Sequence, residues 1–188
     1  GIAGMEAARV AALRGHRAKL LEKEHRLGGH LHLIERLAFK NGQDRLLKYY
    51  LHQLKTLPID ICYNTEGSER IIENEEFDVI LVATGSRARI PASMEVRNGA
   101  SFMTSVEILG KEKHEIGDKV IVIGGGLMGC EIGLWLKGMG KHVTIIEMSP
   151  QLLGDGVQAA NRQMLLDMLA LNRVQIKLNA EAKKVAGN

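Results

Sequence analysis

The apolar positions of the first half of the chain follow two spacings, one typical of helices and one typical of strands. Alanines and leucines recur at helical spacing in two segments, and compact apolar runs occur in three others. The last of these runs is almost continuously apolar, as expected of a parallel strand that is covered on both faces. The patterns predict helices over 4–14 and 44–57, and strands over 17–22, 59–63 and 77–83.

The second half repeats the alternation of strand and helix. We predict strands over 119–124, 143–147 and 173–178, and helices over 127–139 and 157–171. Such alternation predicts an α/β fold with tandem Rossmann-like, doubly wound parallel sheets. A polar, mixed stretch at 86–118 reads as the connector. We place the domains at 1–115, without its first strand, and at 116–188, incomplete, and expect an internal fragment of a larger protein.

Composition and charge exclude several classes of function. Among 188 residues the net charge is +3 and aromatic residues make up 4%, so a nucleic-acid surface has little support. The longest uncharged apolar run, 120–130, is far shorter than the roughly 20 residues of a membrane span. Cys62 and Cys130 form neither a CxxC pair nor a disulfide framework, which fits a reducing compartment and a cytoplasmic protein. No metal site is expected, and the oligomeric state is left open.

A glycine-rich motif occurs twice in the chain at a constant separation of 125 residues. The segment from Gly1 to Glu6 matches the segment from Gly126 to Glu131. The match continues through a later glycine and ends in an acid, at Gly15 and Glu22 in the first copy. A single glycine motif is weak, but two copies in register predict two dinucleotide sites in one protein.

The second motif is complete. A predicted strand leads into a GxGxxG sequence at Gly124, Gly126 and Gly129, and a helix follows directly. The glycines allow a tight turn, approach of a pyrophosphate to the backbone, and close packing of helix on strand. The start of the helix, including Leu127 and Met128, would offer free N–H groups to the phosphates.

Glu147 ends the next strand at about the distance expected for an acid that binds a ribose diol. A carboxylate there would repel a 2′-phosphate, so we expect NADH rather than NADPH. Lys141 and His142 lie close in sequence and would partly offset this repulsion, which keeps NADPH as the alternative.

Only the end of the first motif is present, with Gly1 and Gly4 in its second and third glycine positions. Beyond the acid Glu22 lie two basic residues and a Gly-Gly pair, which would approach or neutralise a long cofactor. A solvated loop is the alternative for the basic residues. A small-residue turn after the third strand would also touch the cofactor. The candidate binding residues of this copy are Gly1, Gly4, Glu22, Lys23, Arg26, Gly28, Gly29, Ala83, Thr84 and Gly85.

Together these motifs resemble flavoproteins with two dinucleotide-binding domains, the pyridine nucleotide–disulfide oxidoreductase superfamily. The resemblance covers nearly the whole chain. It implies that the first motif and the Ala83-Thr84-Gly85 turn bind FAD and that the second motif binds NAD(P)H. The redox cysteine pair of the disulfide reductases is missing, because His30-Leu31-His32-Leu33 follows the Gly-Gly pair and residues 101–118, before the second motif, contain no cysteine. His30 is either near the flavin or a packing residue.

The segments 4–16 and 117–131 look, more narrowly, like the C-terminal region of old-yellow-enzyme-type reductases, such as 2,4-dienoyl-CoA reductase, 2-enoate reductase and trimethylamine dehydrogenase. That resemblance implies a preceding barrel with FMN and a 4Fe–4S cluster, and electrons passing from NADH through FAD to an enoate or dienoyl substrate. No catalytic side chain is expected in this stretch, because the cofactors carry the chemistry. Two alternatives remain open: an ADP-binding scaffold without hydride transfer, and a barrel-less NADH oxidase or flavin reductase.

Overall fold

The computed structural model describes residues 1–37, 39–40, 42–97, 100–154 and 156–186. The chain forms two compact units, Gly1–Arg87 and Ala88–Asn188. Every pair of strands in the described residues is parallel, which confirms the predicted α/β class. The boundary predicted between residues 115 and 116 divides the chain by the cofactor that each part would bind, not by compactness, and it stays a prediction.

The first unit is a two-stranded parallel sheet with helices packed against it. Its elements are α1 (Ile2–Leu13), β1 (Ala18–Leu21), α2 (Leu31–Ile34), α3 (Gln43–Thr56), β2 (Ile59–Cys62) and α4 (Glu69–Asn74). β1 pairs with β2 from Ala18 opposite Ile59 to Leu21 opposite Cys62. The core lies between α1, α3 and the loop after β1, and consists of Met5, Ala8, Leu27, Leu31, Leu47 and Leu54. The predicted helices and the first two strands are confirmed within a few residues.

The strand predicted over 77–83 is wrong. These residues belong to no strand, and Val79 and Val82 are 75% and 81% exposed. An apolar run becomes a strand only where a neighbouring strand accepts and donates its backbone hydrogen bonds. Within the described parts of the chain, the sheet of this unit holds only β1 and β2. The apolar run therefore indicates a tendency to form a strand, but it does not show whether a neighbouring strand is there to pair with it.

The second unit is built on a three-stranded parallel sheet in the order β4-β5-β6. Its elements are β3 (Glu95–Val96), α5 (Ser105–Leu109), a 3₁₀ turn (Lys113–Glu115), β4 (Lys119–Ile123), α6 (Leu127–Gly138), β5 (His142–Ile146), α7 (Ala159–Leu171), β6 (Gln175–Lys177) and β7 (Lys184–Val185). All five elements predicted for this half are confirmed. The predicted connector additionally contains α5, the 3₁₀ turn and β3, which pairs with β7.

The sequence repeat is also a repeat of backbone structure. α1 and α6 end in the same way, with glycines at φ +84° and +83°. The N–H of His16 donates to Ala11 O, and that of Lys141 donates to Leu136 O, both at 3.0–3.1 Å. All four residues keep the separation of 125. The two units therefore share one helix–turn–strand geometry, because each glycine supplies the left-handed conformation that the turn requires.

None of the helices in the described residues is both long and apolar enough to cross a bilayer.

Candidate dinucleotide-binding sites

The second glycine motif presents an open helix N-terminus. Gly126 is the N-cap of α6, and no side chain caps the helix. A Cβ built on Gly126 or on Gly124 would meet no atom of the described residues within 4 Å, and Leu127 and Met128 are 43% and 45% exposed. The first-turn N–H groups of a helix have no partner within it and attract anions. The residues therefore fit a pyrophosphate at this place.

Gly129 and Gly133 let α6 approach the sheet. A Cβ on Gly129 would overlap the carbonyl oxygen of Gly124, and one on Gly133 would lie 2.9 Å from Ile145 Cδ1. Gly129 therefore has the close-packing role expected of the third motif glycine. The matching position of Gly133 in the first unit is Ala8, which is also buried.

Glu147 is fixed by backbone N–H groups from two directions. Its Oε2 accepts from Gly125 at 2.6 Å, and its Oε1 accepts from Ser149 at 2.7 Å. Burial raises the pKa of Glu147, but the bonds from Ser149 and Gly125 outweigh it and hold the pKa below its ordinary value. An ionised carboxylate has about four acceptor positions, so positions remain for a ribose diol.

Gly125 is the centre of this site, although the sequence patterns did not single it out. Its carbonyl accepts from the N–H of Leu153 at 2.9 Å and from the thiol of Cys130 at 3.3 Å. A Cβ on Gly125 would overlap Leu152 Cδ2, so the loop after Glu147 closes directly onto the motif. Burial, followed by the charges of nearby glutamates, raises the pKa of Cys130 to about 11. This thiol is therefore protonated at neutral pH, and its role is structural.

The prediction that Lys141 would offset the repulsion between Glu147 and a 2′-phosphate is wrong. Its ammonium is buried and donates to the Ile116 carbonyl at 2.5 Å and to Asp118 Oδ1 at 3.3 Å. Lys141 precedes β5 whereas Glu147 follows it, and a strand rises about 3.3 Å per residue. Lys141 and the adjacent His142 therefore lie at the opposite end of the strand from the carboxylate.

The first motif has the same local arrangement. α1 has Gly1 as its N-cap, and no described side chain caps it. Glu22 is buried, and its Oε1 accepts from the N–H of Glu24 at 3.1 Å. Its Oε2 lies 3.5 Å from the Gly1 nitrogen. The acid thus faces the glycine motif as Glu147 does, and these residues fit a second dinucleotide.

The candidate binding residues in the loop after Glu22 differ in exposure and in packing. Lys23 and Arg26 are exposed side chains. Gly28 and Gly29 have positive φ angles of 123° and 51°. A Cβ on Gly28 would lie 2.6 Å from His32 Nε2, and one on Gly29 would lie 3.0 Å from Gly1 Cα. Packing within the chain is thus sufficient to require both glycines, whether or not a cofactor approaches them.

The Ala83-Thr84-Gly85 turn approaches the first motif through its alanine. A Cβ on Gly4 would lie 3.5 Å from Ala83 Cβ and 3.4 Å from Leu20 Cδ1. Gly85 has a φ of +79° and open space around its Cα hydrogens, and Thr84 is exposed. The turn therefore lies beside the start of α1. Binding of FAD by any of these residues stays a prediction.

The structure extends the repeat further than the glycines and acids suggested. Leu27 and Leu152, which are also 125 residues apart, are both buried under the loop after the acid. After β2 and β6, Asn64 and Asn179 both adopt φ +51°. Their N–H groups donate to Glu24 O and Ser149 O at 3.1 and 3.2 Å. The leucines keep the separation of 125 and could be paired from the sequence alone. The asparagines are 115 residues apart, so they could be paired only from the register of the strands that precede them.

Two open helix N-termini, each facing an acid at the end of the next strand, define a protein with two dinucleotide-binding units. A family profile described as pyridine nucleotide-disulphide oxidoreductase matches residues 1–188, so the chain belongs to this family.

Similar proteins are reductases and oxidases. The chain is 41% identical over 186 residues to cinnamate reductase of Clostridium sporogenes, covering 98% of this chain and 27% of that protein. It is 33% identical over 150 residues to an NADH oxidase of Thermoanaerobacter brockii, covering 79% and 23%. A solved 2-naphthoyl-CoA reductase in complex with 2-naphthoyl-CoA superposes with a TM-score of 0.80 at 29% identity, covering 96% and 27%. The chain thus spans about a quarter of the length of these relatives.

Proposed function

We propose that this chain forms the FAD- and NADH-binding part of a flavin-dependent oxidoreductase that passes hydride from NADH to FAD. The observation that carries the proposal is the pair of glycine motifs, each with a carboxylate beside it. Glu147 Oε2 accepts from the N–H of Gly125, and Glu22 Oε2 lies 3.5 Å from the Gly1 nitrogen. One dinucleotide site would support many functions. Two such sites in a chain of this family support electron transfer between two bound cofactors.

The residues of the second motif bind and orient the cofactor in this proposal. The N–H groups of Leu127 and Met128 donate to the pyrophosphate, and the open space at Gly126 admits it. The carboxylate of Glu147 accepts hydrogen bonds from the adenine ribose. Bound FAD supplies the chemistry of hydride acceptance and one-electron release. No described side chain of this chain has to act as an acid or a base.

NADH is the preferred nicotinamide cofactor in this proposal. Glu147 is ionised at neutral pH, since its ordinary pKa is 4.5 and backbone hydrogen bonds lower it further. A 2′-phosphate would meet this charge directly. Lys141 does not offset the repulsion, because its ammonium is bound to Ile116 O and Asp118.

The substrate class we propose is an enoate or dienoyl compound, reduced elsewhere in the protein. The similarity to cinnamate reductase supports this, since cinnamate is itself an α,β-unsaturated carboxylate. The proposal includes a barrel that holds FMN and a 4Fe–4S cluster, as in the group of reductases that the sequence resembles. Substrate contacts would then lie outside this chain.

Anaerobic titration of the full-length protein with NADH tests the proposal. The flavin absorbance should bleach with NADH, and NADPH should be required at higher concentration. An unbleached flavin would overturn hydride transfer. Nucleotide released by denaturation should include FAD, and release of ADP alone would instead support the scaffold without hydride transfer.

A second candidate function is oxidation of NADH by oxygen, which the similarity to the Thermoanaerobacter brockii NADH oxidase favours. Both candidates require bleaching by NADH. They differ in the second half-reaction, so the reduced protein should be mixed separately with cinnamate and with oxygen. Faster reoxidation by cinnamate supports the enoate reductase, and reoxidation by oxygen alone supports the oxidase.

A further inference from the structure

We infer that Arg162 is a positioning residue for nucleotide binding in the second unit, an inference that deepens the proposed function and rests on the nucleotide site it assigns. Arg162 lies in the first turn of α7 and is partly buried. Its Nε donates to Leu153 O at 3.0 Å, and its Nη2 donates to Leu152 O at 3.2 Å. The rigid guanidinium fork suits two neighbouring carbonyls, which a lysine ammonium cannot reproduce.

The residue between these contacts is strained. Leu153 has a φ of +53°, in the left-handed region that side chains other than glycine rarely adopt. Such a conformation persists only where the surroundings fix it. Arg162 holds the carbonyl on each side of the Leu153 nitrogen and Cα, and Nη2 also donates to Gln151 Oε1 at 3.0 Å.

The first unit solves the same problem differently. The position that corresponds to Leu153, 125 residues earlier, is Gly28, with a φ of +123°. Glycine adopts positive φ at little cost, and the two carbonyls of this turn accept from nearby groups: Leu27 O from His32 Nε2 at 2.8 Å and Gly28 O from the Leu31 N–H at 3.1 Å. In the second unit a leucine stands in place of this glycine, and one side chain from α7, Arg162, binds both matching carbonyls.

The strained turn is coupled to the nucleotide site through two backbone hydrogen bonds. Leu153 N–H donates to Gly125 O at 2.9 Å, and Gly125 N–H donates to Glu147 Oε2 at 2.6 Å. Release of the turn would therefore remove the Leu153 hydrogen bond from the Gly125 carbonyl and loosen the residue whose N–H holds the carboxylate proposed to bind ribose. Arg162 acts through these groups and does not itself reach the open space at Gly126.

The test uses the full-length flavoprotein and its affinity for ADP-ribose, measured by calorimetric titration. Arg162→Gln should raise Kd about ten-fold, and Arg162→Lys about three-fold, because the lysine ammonium can still donate to one of the two carbonyls. Arg173→Gln removes an equal charge from an exposed residue just after α7 and should change Kd less than two-fold. Combining Arg162→Gln with Glu147→Gln should raise Kd by less than the product of the single effects, because both act through Gly125.

Steady-state kinetics with NADH separate positioning from general damage. Arg162→Gln should raise KM about ten-fold with kcat within two-fold of wild type. A lower kcat at unchanged KM, an unchanged Kd for ADP-ribose, or an equal rise in Arg173→Gln would each overturn the inference. If the glutamine variant does not fold, the lysine variant decides by its Kd.

The proposed function fails by a different result. A wild-type protein that binds ADP-ribose but is not bleached by NADH would overturn hydride transfer, while the Kd shift of the Arg162 variants still decides the positioning role. A wild-type protein that binds no ADP-ribose would overturn the Arg162 inference.

Discussion

The two units close the same turn onto the same motif with different residues. In the first unit the loop after the acid uses Gly28 and Gly29, and in the second it uses the strained Leu153, held by Arg162. Leu27 and Leu152 are buried at the same point of both loops. The comparison shows two ways to keep the same backbone turn. One uses glycines, which adopt positive φ at little cost, and the other uses a leucine in a strained conformation whose carbonyls are bound by an arginine.

The connection between acid and next strand also differs. The separation between matching strand residues is 125 for β1 and β5 but 115 for β2 and β6, so the first unit has ten more residues in this connection. α2 lies in that longer connection, and its Leu31 joins the core of the first unit. The first unit thus surrounds its motif with additional chain, whereas the second relies on side-chain contacts from α7.

The largest effect that we expect concerns the third glycine of the second motif, compared with a glycine at the other end of the same helix. A Cβ on Gly129 would overlap the Gly124 carbonyl oxygen, whereas one on Gly138 would meet no atom of the described residues within 4 Å. Backbone cannot yield cheaply, so Gly129→Ala should cost roughly 3 kcal/mol or more. Gly138→Ala should change stability by about 1 kcal/mol or less, because alanine favours the helix. Thermal unfolding of both purified variants measures this.

Gly138→Ala should unfold at the wild-type temperature or slightly above. An equally severe loss of stability in Gly138→Ala would contradict the prediction, because it would show that the cost does not come from the overlap with the Gly124 carbonyl oxygen.

The next contrast concerns the two acids. Glu147→Ala should weaken NADH binding roughly 10- to 100-fold, since hydrogen bonds to a charged group contribute about 1.5–3 kcal/mol. The preference for NADH over NADPH should narrow at the same time, because the repulsive charge is gone. Fluorescence titration of the full-length protein with both nucleotides gives the two affinities.

Glu22→Ala is the matched variant in the other unit. It should leave the NADH affinity within about two-fold, because Glu22 and Glu147 belong to separate units. It should instead increase loss of FAD on gel filtration. Equal weakening of NADH by both variants would contradict the assignment of one cofactor to each motif.

Much of the fold was predictable because the apolar patterns are local. All helices and strands predicted in the second unit are present, and the two glycines that the repeat pairs, Gly15 and Gly140, adopt nearly the same φ angle. The segment 77–83 could not be predicted in the same way. Its strand character depends on a partner, and pairing is not encoded in the run itself.

The candidate sites were predictable where they depend on glycine and carboxylate spacing. Side-chain direction was not, so Lys141 was placed near Glu147 by sequence proximity although it lies at the other end of β5. Gly125 and Arg162 were missed because their importance comes from bonds between distant segments. Extending the comparison of the two sequence repeats beyond Glu22 and Glu147 would have revealed the paired leucines Leu27 and Leu152. It would not have revealed Arg162, which binds the Leu152 carbonyl.

The smallest contrast that we expect appears with pH. Glu147 has a lowered pKa in the folded protein, so the unfolded state binds more protons, and the stability that this carboxylate contributes is present above its ordinary pKa of 4.5. That contribution is lost as pH falls through the lowered folded pKa. Glu147→Gln keeps one acceptor and should be less stable than wild type by roughly 0.5–1 kcal/mol at neutral pH, allowing for solvent screening. The stability difference between the two proteins should close in acid, as measured by unfolding midpoints between pH 7 and 3.

Glu181→Gln, at an exposed position, should follow the wild-type profile. A stability difference between Glu147→Gln and wild type that stays constant down to pH 3 would show that the charge of Glu147 does not hold Gly125 and Ser149.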